Sequence, residues 1–256
     1  MAPARHAIAV ASGKGGVGKS TVALNLALAL RDQGANVGIL DADFYGPDIP
    51  LMVNLKRDAL LKRWDFWRGG EVRLEPLERY GLKLMSVGFL LGEQQSLPFS
   101  APSLVPALRQ FTEGTDWGDL DYLVIDLPPG TADLQEHVMQ VFQLSGVVIV
   151  VGPQDAAHLD GKRVVELFRL RDVPILGGVE NMRGLVCPHC GETVEVWPPV
   201  TEQRSIWNFG VRRLATLPFD PSASGNGHGP LLIAAPQSPQ ADRFRLLAEE
   251  IAAALG

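Results

Sequence analysis

The run Gly13-Lys14-Gly15-Gly16-Val17-Gly18-Lys19-Ser20-Thr21 constrains the chain more than any other segment. It follows an apolar stretch, Ala7–Ala11, and opens a helix-length pattern, Ser20–Gln33. Strand, glycine-rich turn and helix in that order make the setting of a phosphate-cradling loop. Glycines let successive backbone N–H groups turn toward one anion, and the helix N-terminus adds partial positive charge there. Lys19 is placed to reach the β- and γ-phosphates, and the Ser20 hydroxyl to complete a Mg²⁺ shell. The expected ligand is a Mg²⁺-bound nucleotide, read as ATP.

The rest of the chain fits a sandwich built around such a loop. Val37–Leu40, Tyr122–Leu127, Val147–Val151 and Ile175–Val179 are short and rich in Val, Ile and Leu. They read as strands buried on both faces, as in a parallel sheet. Helix-length patterns alternate with them at Pro102–Thr112, Asp133–Gln143, Leu159–Leu170 and Pro239–Leu255. The expected fold is α/β, a doubly wound and mainly parallel sheet flanked by helices. One domain over residues 1–256 is expected, with a cysteine-bearing loop or small hairpin at about 183–199. Lys56–Gly70 reads as a surface excursion ahead of Val72–Leu77 and Leu82–Val87, and Asp220–Pro230 reads as loop.

Charge and composition narrow the partners. With 23 basic and 29 acidic side chains the net charge is −6, which gives no overall attraction to nucleic acid or to an anionic membrane. No apolar run approaches the roughly 20 residues needed to span a bilayer. Met1–His6 is short and polar, without the pattern of a secretory signal. A cytoplasmic protein with neither nucleic-acid nor membrane partners is therefore expected.

Two further acidic sites lie at strand ends. Asp41 and Asp43 follow Val37–Leu40, at the carboxyl edge where α/β sheets bind ligands. Asp126 ends Tyr122–Leu127 and precedes Pro128-Pro129-Gly130-Thr131. An acid after an apolar strand is the pattern that supports a Mg²⁺ shell, and the turn after it suits a γ-phosphate sensor.

Lys14 is more than the cradle needs. Lys14-Gly15-Gly16-Val17-Gly18-Lys19-Ser20-Thr21 resembles the deviant Walker A motif of the MinD, ParA and nitrogenase iron protein class. That resemblance implies that Lys14 crosses a dimer interface to the partner's nucleotide, acting as an arginine finger would. It also implies that Asp43 orients the attacking water, that Asp41 helps to hold Mg²⁺, and that Asn181 meets the adenine edge.

Cys187-Pro188-His189-Cys190 admits three readings. A dithiol redox pair needs a helix after the first cysteine, and Gly191 with the β-leaning Thr193–Trp197 argues against one. A zinc knuckle suits Cys-x-x-Cys-Gly, although a single chain offers only two thiolates. A metal shared across a two-fold axis turns two cysteines per chain into the four of an iron–sulfur cluster.

Taken with the loop, three elements resemble the Mrp/ApbC family of iron–sulfur carrier ATPases. They are Asp41–Pro50, Asp121–Gln135 and Glu180–Gly191, the last two more specific than the loop itself. The resemblance runs from about Ile8 to the C-terminus and implies a nucleotide-bridged homodimer. Such a dimer holds a labile 4Fe–4S cluster between its Cys187 and Cys190 loops and hands it to apo-proteins, with slow hydrolysis of ATP. Departures fall at Ser96–Leu104, Val194–Pro218 and Asn226–Gly229. The rival expectations are a positioning ATPase like MinD or ParA, and a zinc-bridged adaptor that binds ATP.

Overall fold

In the computed structural model the described residues are 3–55, 74–90, 101–130, 133–187, 189–219 and 229–256. Eight strands form one sheet. They are β1 (His6–Ala11), β2 (Val37–Asp41), β3 (Leu77–Arg79), β4 (Leu82–Ser86), β5 (Tyr122–Asp126), β6 (Gly146–Val151), β7 (Ile175–Glu180) and, at one edge, Arg213–Thr216. Between β7 and that edge strand lie β8 (Leu185–Val186) and β9 (Thr193–Val194), which pair with each other while Leu185 also bridges Phe219, so Arg213–Thr216 is β10. The order is β10-β7-β6-β1-β5-β2-β4-β3, parallel throughout except for β3 against β4. Every residue of β2 and of β6 is buried, as the continuous apolar runs require of strands covered on both sides.

Helices α1 (Lys19–Asp32), α2 (Ile49–Met52), α3 (Ala101–Thr112), α4 (Asp133–Val141), α5 (Asp155–Arg169), α6 (Leu231–Ala234) and α7 (Pro239–Leu255) flank the sheet. From Val22 to Leu30, α1 is buried on all sides, because α7 packs over the face that the sheet leaves free. Asn25 joins this layer to α6: its amide donates to Thr21 O (2.9 Å), and its Oδ1 accepts from Leu232 N (3.1 Å).

Several expectations shift. Of the described residues 74–77 within the expected Val72–Leu77 strand, Leu74 bridges Thr115 and Leu77 enters a strand. The hairpin closes instead on Tyr80 and Gly81, whose φ values of 52° and 70° suit a tight two-residue turn. Helix α5 starts four residues before Leu159, because the extended Gln154 (φ −102°, ψ 144°) already serves as its N-cap. Strand β10, short and half-buried, carries too weak an alternation to be read from sequence. The excursion at Lys56–Gly70, most of Ser96–Leu104 and most of Asp220–Pro230 lie outside the described residues. Among the described residues no helix is long and apolar enough to cross a membrane.

Candidate nucleotide site and cysteine hairpin

Strand register brings the acidic residues together. Parallel pairing sets Asp41 opposite Asp126 and, on its other side, opposite Ser86; Asp126 in turn sits opposite Val10 of β1. The loop that leaves β1 therefore emerges beside two carboxylates contributed by neighbouring strands. Gly16 and Gly18 take φ values of 77° and 80°, which turn the chain into α1. A cavity of about 460 Å³ opens here, lined by the loop from Lys14 to Thr21 together with Asp43, Asp48, Leu51, Pro129 and Met182.

Lys19 is buried and donates to Asp126 Oδ1 at 2.6 Å, with Asp43 Oδ2 at 4.0 Å and Ser20 Oγ at 3.3 Å. Asp126 is fully buried, and among the described residues its second oxygen, Oδ2, has no hydrogen-bond partner. Burial and the charge of Asp126 hold the Asp41 carboxyl well above the usual carboxylate range. Ser86 Oγ (2.9 Å), Asp43 N (3.2 Å) and Ile49 N (3.4 Å) all donate to it. Burial likewise raises Asp43, against the pull of Lys19 and of Gly46 N, which donates to its Oδ1 at 3.1 Å.

Three crowded carboxylates with one lysine and one orphaned oxygen make a donor set that fits the implied Mg²⁺. The cation is hard, takes carboxylate and hydroxyl oxygens, and keeps several waters. Ser20 and Asp126 would hold it, with Asp41 braced behind them by Ser86.

Lys14 donates to Gln154 Oε1 at 2.9 Å. Asn181 is buried, and its amide donates to Val17 O (2.9 Å) while its own N–H binds Val151 O (2.8 Å). One donor of the amide thus braces the phosphate loop itself, a contact that the sequence alone did not show. Gly13 lies so close to the backbone of Asp160 that a side chain there has no room. Gly130 N binds Ser12 O (2.9 Å), tying the turn after β5 to the loop; Thr131 lies outside the described residues. Ser86 and Gln154 are the site residues that sequence reading missed. Neither belongs to a motif, and only the strand register and the start of α5 bring them in.

The cysteines top the β8–β9 hairpin, which Cys187 N→Glu192 O and Gly191 N→Cys187 O (both 2.9 Å) close. Cys187 is half-buried and Cys190 exposed, both as free thiols. Backbone N–H groups of Cys190 and then His189 point at the Cys187 sulfur and lower its pKa, which favours the thiolate that metals bind. Among the described residues no group of three or more His, Cys, Asp or Glu side chains is placed to hold a metal. Val186, Val194, Val196 and Trp197 stand exposed around this turn.

With this geometry in hand, likeness to known proteins is informative. The family described as ParA: NUBPL iron-transfer P-loop NTPase matches residues 3–252. An iron-sulfur cluster carrier protein of Pseudomonas fragi is 41% identical over 250 residues, spanning 97% of this chain and 85% of that one. An Arabidopsis thaliana iron-sulfur protein required for NADH dehydrogenase, mitochondrial, is 40% identical over 95% of this chain and 77% of its own length. Among solved structures, a nucleotide-binding protein of Archaeoglobus fulgidus in complex with ADP superimposes with a TM-score of 0.74. It is 34% identical and covers 94% of this chain and 92% of its own. The chain belongs to the ParA family of NUBPL-type iron-transfer P-loop NTPases.

Proposed function

We propose that this chain is an ATP-hydrolysing iron–sulfur cluster carrier that works as a homodimer, receives a 4Fe–4S cluster between two Cys187/Cys190 hairpins, and delivers it to apo-proteins. The observation that carries this reading is the hairpin: two thiols, one with a lowered pKa, on a turn whose N–H groups aim at sulfur, in a chain of this family. Two sulfurs per chain make four across a two-fold axis, and the exposed Val186, Val194, Val196 and Trp197 supply apolar surface for a second copy. The single domain carries both functions, and the bacterial carrier relatives support a cytoplasmic setting.

In this reading the backbone N–H groups of Gly15 to Lys19 and the N-terminus of α1 take the phosphates. Lys19 exchanges its contact with Asp126 for the β- and γ-phosphates. Ser20 and Asp126 would hold Mg²⁺, which would supply positive charge beside the phosphates. Asp43, raised in pKa and anchored by Gly46 N, orients the attacking water. Lys14 of the facing protomer completes the charge balance, so hydrolysis is slow and depends on dimerisation.

The test is anaerobic reconstitution with iron and sulfide, followed by transfer to an apo-ferredoxin. One chelator-labile cluster per dimer is expected in the wild type, and none in Cys187→Ala/Cys190→Ala. A colourless wild type that retains zinc would overturn the carrier reading.

A further inference from the structure

We propose that Gln154 is a positioning residue for Lys14, a neutral latch that holds the lysine against its own protomer until a second nucleotide-bound protomer offers it a better partner. This rests on the reading that Lys14 acts across the dimer.

Gln154 is the N-cap of α5, a position where short side chains normally accept from the first turn's N–H groups. Its side chain makes no such bond. It reaches out instead, and its Oε1 accepts from Lys14 Nζ at 2.9 Å. The next residue, Asp155, is the carboxylate one would expect to attract a lysine at this spot. Asp155 is already occupied: Thr201 N donates to Oδ1 (3.1 Å) and Arg204 Nη1 to Oδ2 (2.7 Å). Asp160, one turn further along α5, pairs with Arg163 at 2.9 Å. Both of these α5 carboxylates have partners from their own surroundings, and Lys14 Nζ meets an uncharged amide.

The choice has a consequence for rate. An ammonium held by a carboxylate would be neutralised and costly to release, whereas one held by an amide keeps its full charge and leaves readily. The latch contact lies within one chain, between residues 140 apart in sequence, so it competes directly with the reach toward a partner. Weakening it favours the dimer; strengthening it favours the single protomer.

The experiment compares wild type, Gln154→Leu, Gln154→Glu and Lys14→Ala. Sedimentation gives the dimer Kd with Mg²⁺ and a non-hydrolysable ATP analogue, and ATP turnover is followed against protein concentration. Because Gln154 does not cap α5 through its side chain, Leu leaves the helix start intact. Gln154→Leu is expected to tighten the dimer about 25-fold, because each of the two protomers loses a latch worth about fivefold, the factor that a net bond near 1 kcal/mol corresponds to. Gln154→Glu is expected to weaken it about tenfold. In a Lys14→Ala background both shifts vanish. Shifts of the same sign in Leu and Glu, or shifts that persist without Lys14, overturn the latch while the role of Lys14 stands. If Lys14→Ala hydrolyses ATP at the wild-type rate, the cross-dimer reading itself falls and the latch with it.

Discussion

Replacing Gly18 by alanine tests how the phosphate loop is braced, with Gly16→Ala as its internal standard. Both glycines hold nearly the same left-handed backbone, φ 80° and 77°, so an added Cβ costs each about 1–2 kcal/mol of conformational strain. Their surroundings differ. Among the described residues nothing lies within 4 Å of a Cβ built on Gly16, whereas one built on Gly18 collides with the Asn181 amide nitrogen. That nitrogen is the one that donates to Val17 O at 2.9 Å, and the pair is buried. Gly18→Ala must therefore push Asn181 aside and leave a buried carbonyl and amide unpaired, about 1–3 kcal/mol more. Strain cancels in the comparison, so the gap between the two variants reports the Asn181 strut alone. Urea unfolding of the nucleotide-free protein measures it, because differences in midpoint at a shared slope convert to free energy. Repeating the pair in an Asn181→Ala background should close the gap. Equal destabilisation by the two alanines, or a gap that survives the loss of Asn181, would refute the bracing argument.

Other perturbations follow from the same geometry. Lys19→Met leaves Asp126 as an unpaired buried charge and should destabilise the nucleotide-free protein by about 3–5 kcal/mol, much of it recovered in Lys19→Met/Asp126→Leu, by urea titration. Asn25→Ala orphans the Leu232 N–H between α1 and α6 and should cost about 1–3 kcal/mol by the same measurement. Burial acts to raise the Glu180 carboxyl, but His158, Arg213 and Arg183 outweigh it and hold the folded pKa below the ordinary value. Its stabilisation is therefore present above the unfolded carboxylate pKa of about 4.3 and lost as pH falls through the folded value, so Glu180→Gln should be less stable at pH 7, with the gap closing in acid. In metal-free protein at neutral pH, iodoacetamide should modify Cys187 ahead of Cys190, read by peptide mass spectrometry.

What could be read from the sequence is what local chemistry imposes position by position. A phosphate cradle needs glycine where φ is positive, lysine at the helix start and a hydroxyl beside it, so Gly13–Thr21 identifies itself. Buried parallel strands need unbroken apolar runs, so β1, β2, β5, β6 and β7 stand out. Long-range placement was not legible. Ser86 reaches Asp41 only because β4 pairs with β2 in one particular register, and no periodicity records that register. Gln154 meets Lys14 only because α5 begins earlier than its apolar pattern. Asn181 shows the limit most clearly. Its position after β7 was readable, but the direction of its amide depends on the path of the loop after β1.

The nucleotide site and the cysteines share one stretch of backbone. Asn181 braces the phosphate loop, and the next residue, Met182, lines the nucleotide cavity with φ at 60°, a left-handed value that a side chain of this size takes only where its surroundings impose it. Arg183 N then binds Leu217 O, Gly184 turns with φ 74°, and β8 runs directly to Cys187. The hairpin leaves the body of the fold from the rim of the cavity, without an intervening helix to absorb a shift. Met182, at the base of the hairpin, is the cavity-lining residue that a bound nucleotide would meet there. Strands β1, β2, β5 and β7 each deliver one part of the site at their carboxyl ends, and β7 alone continues into the cysteine-bearing turn. The nucleotide cavity and the cysteine turn are thus placed at one sheet edge and joined by the short stretch of backbone between Asn181 and Cys187.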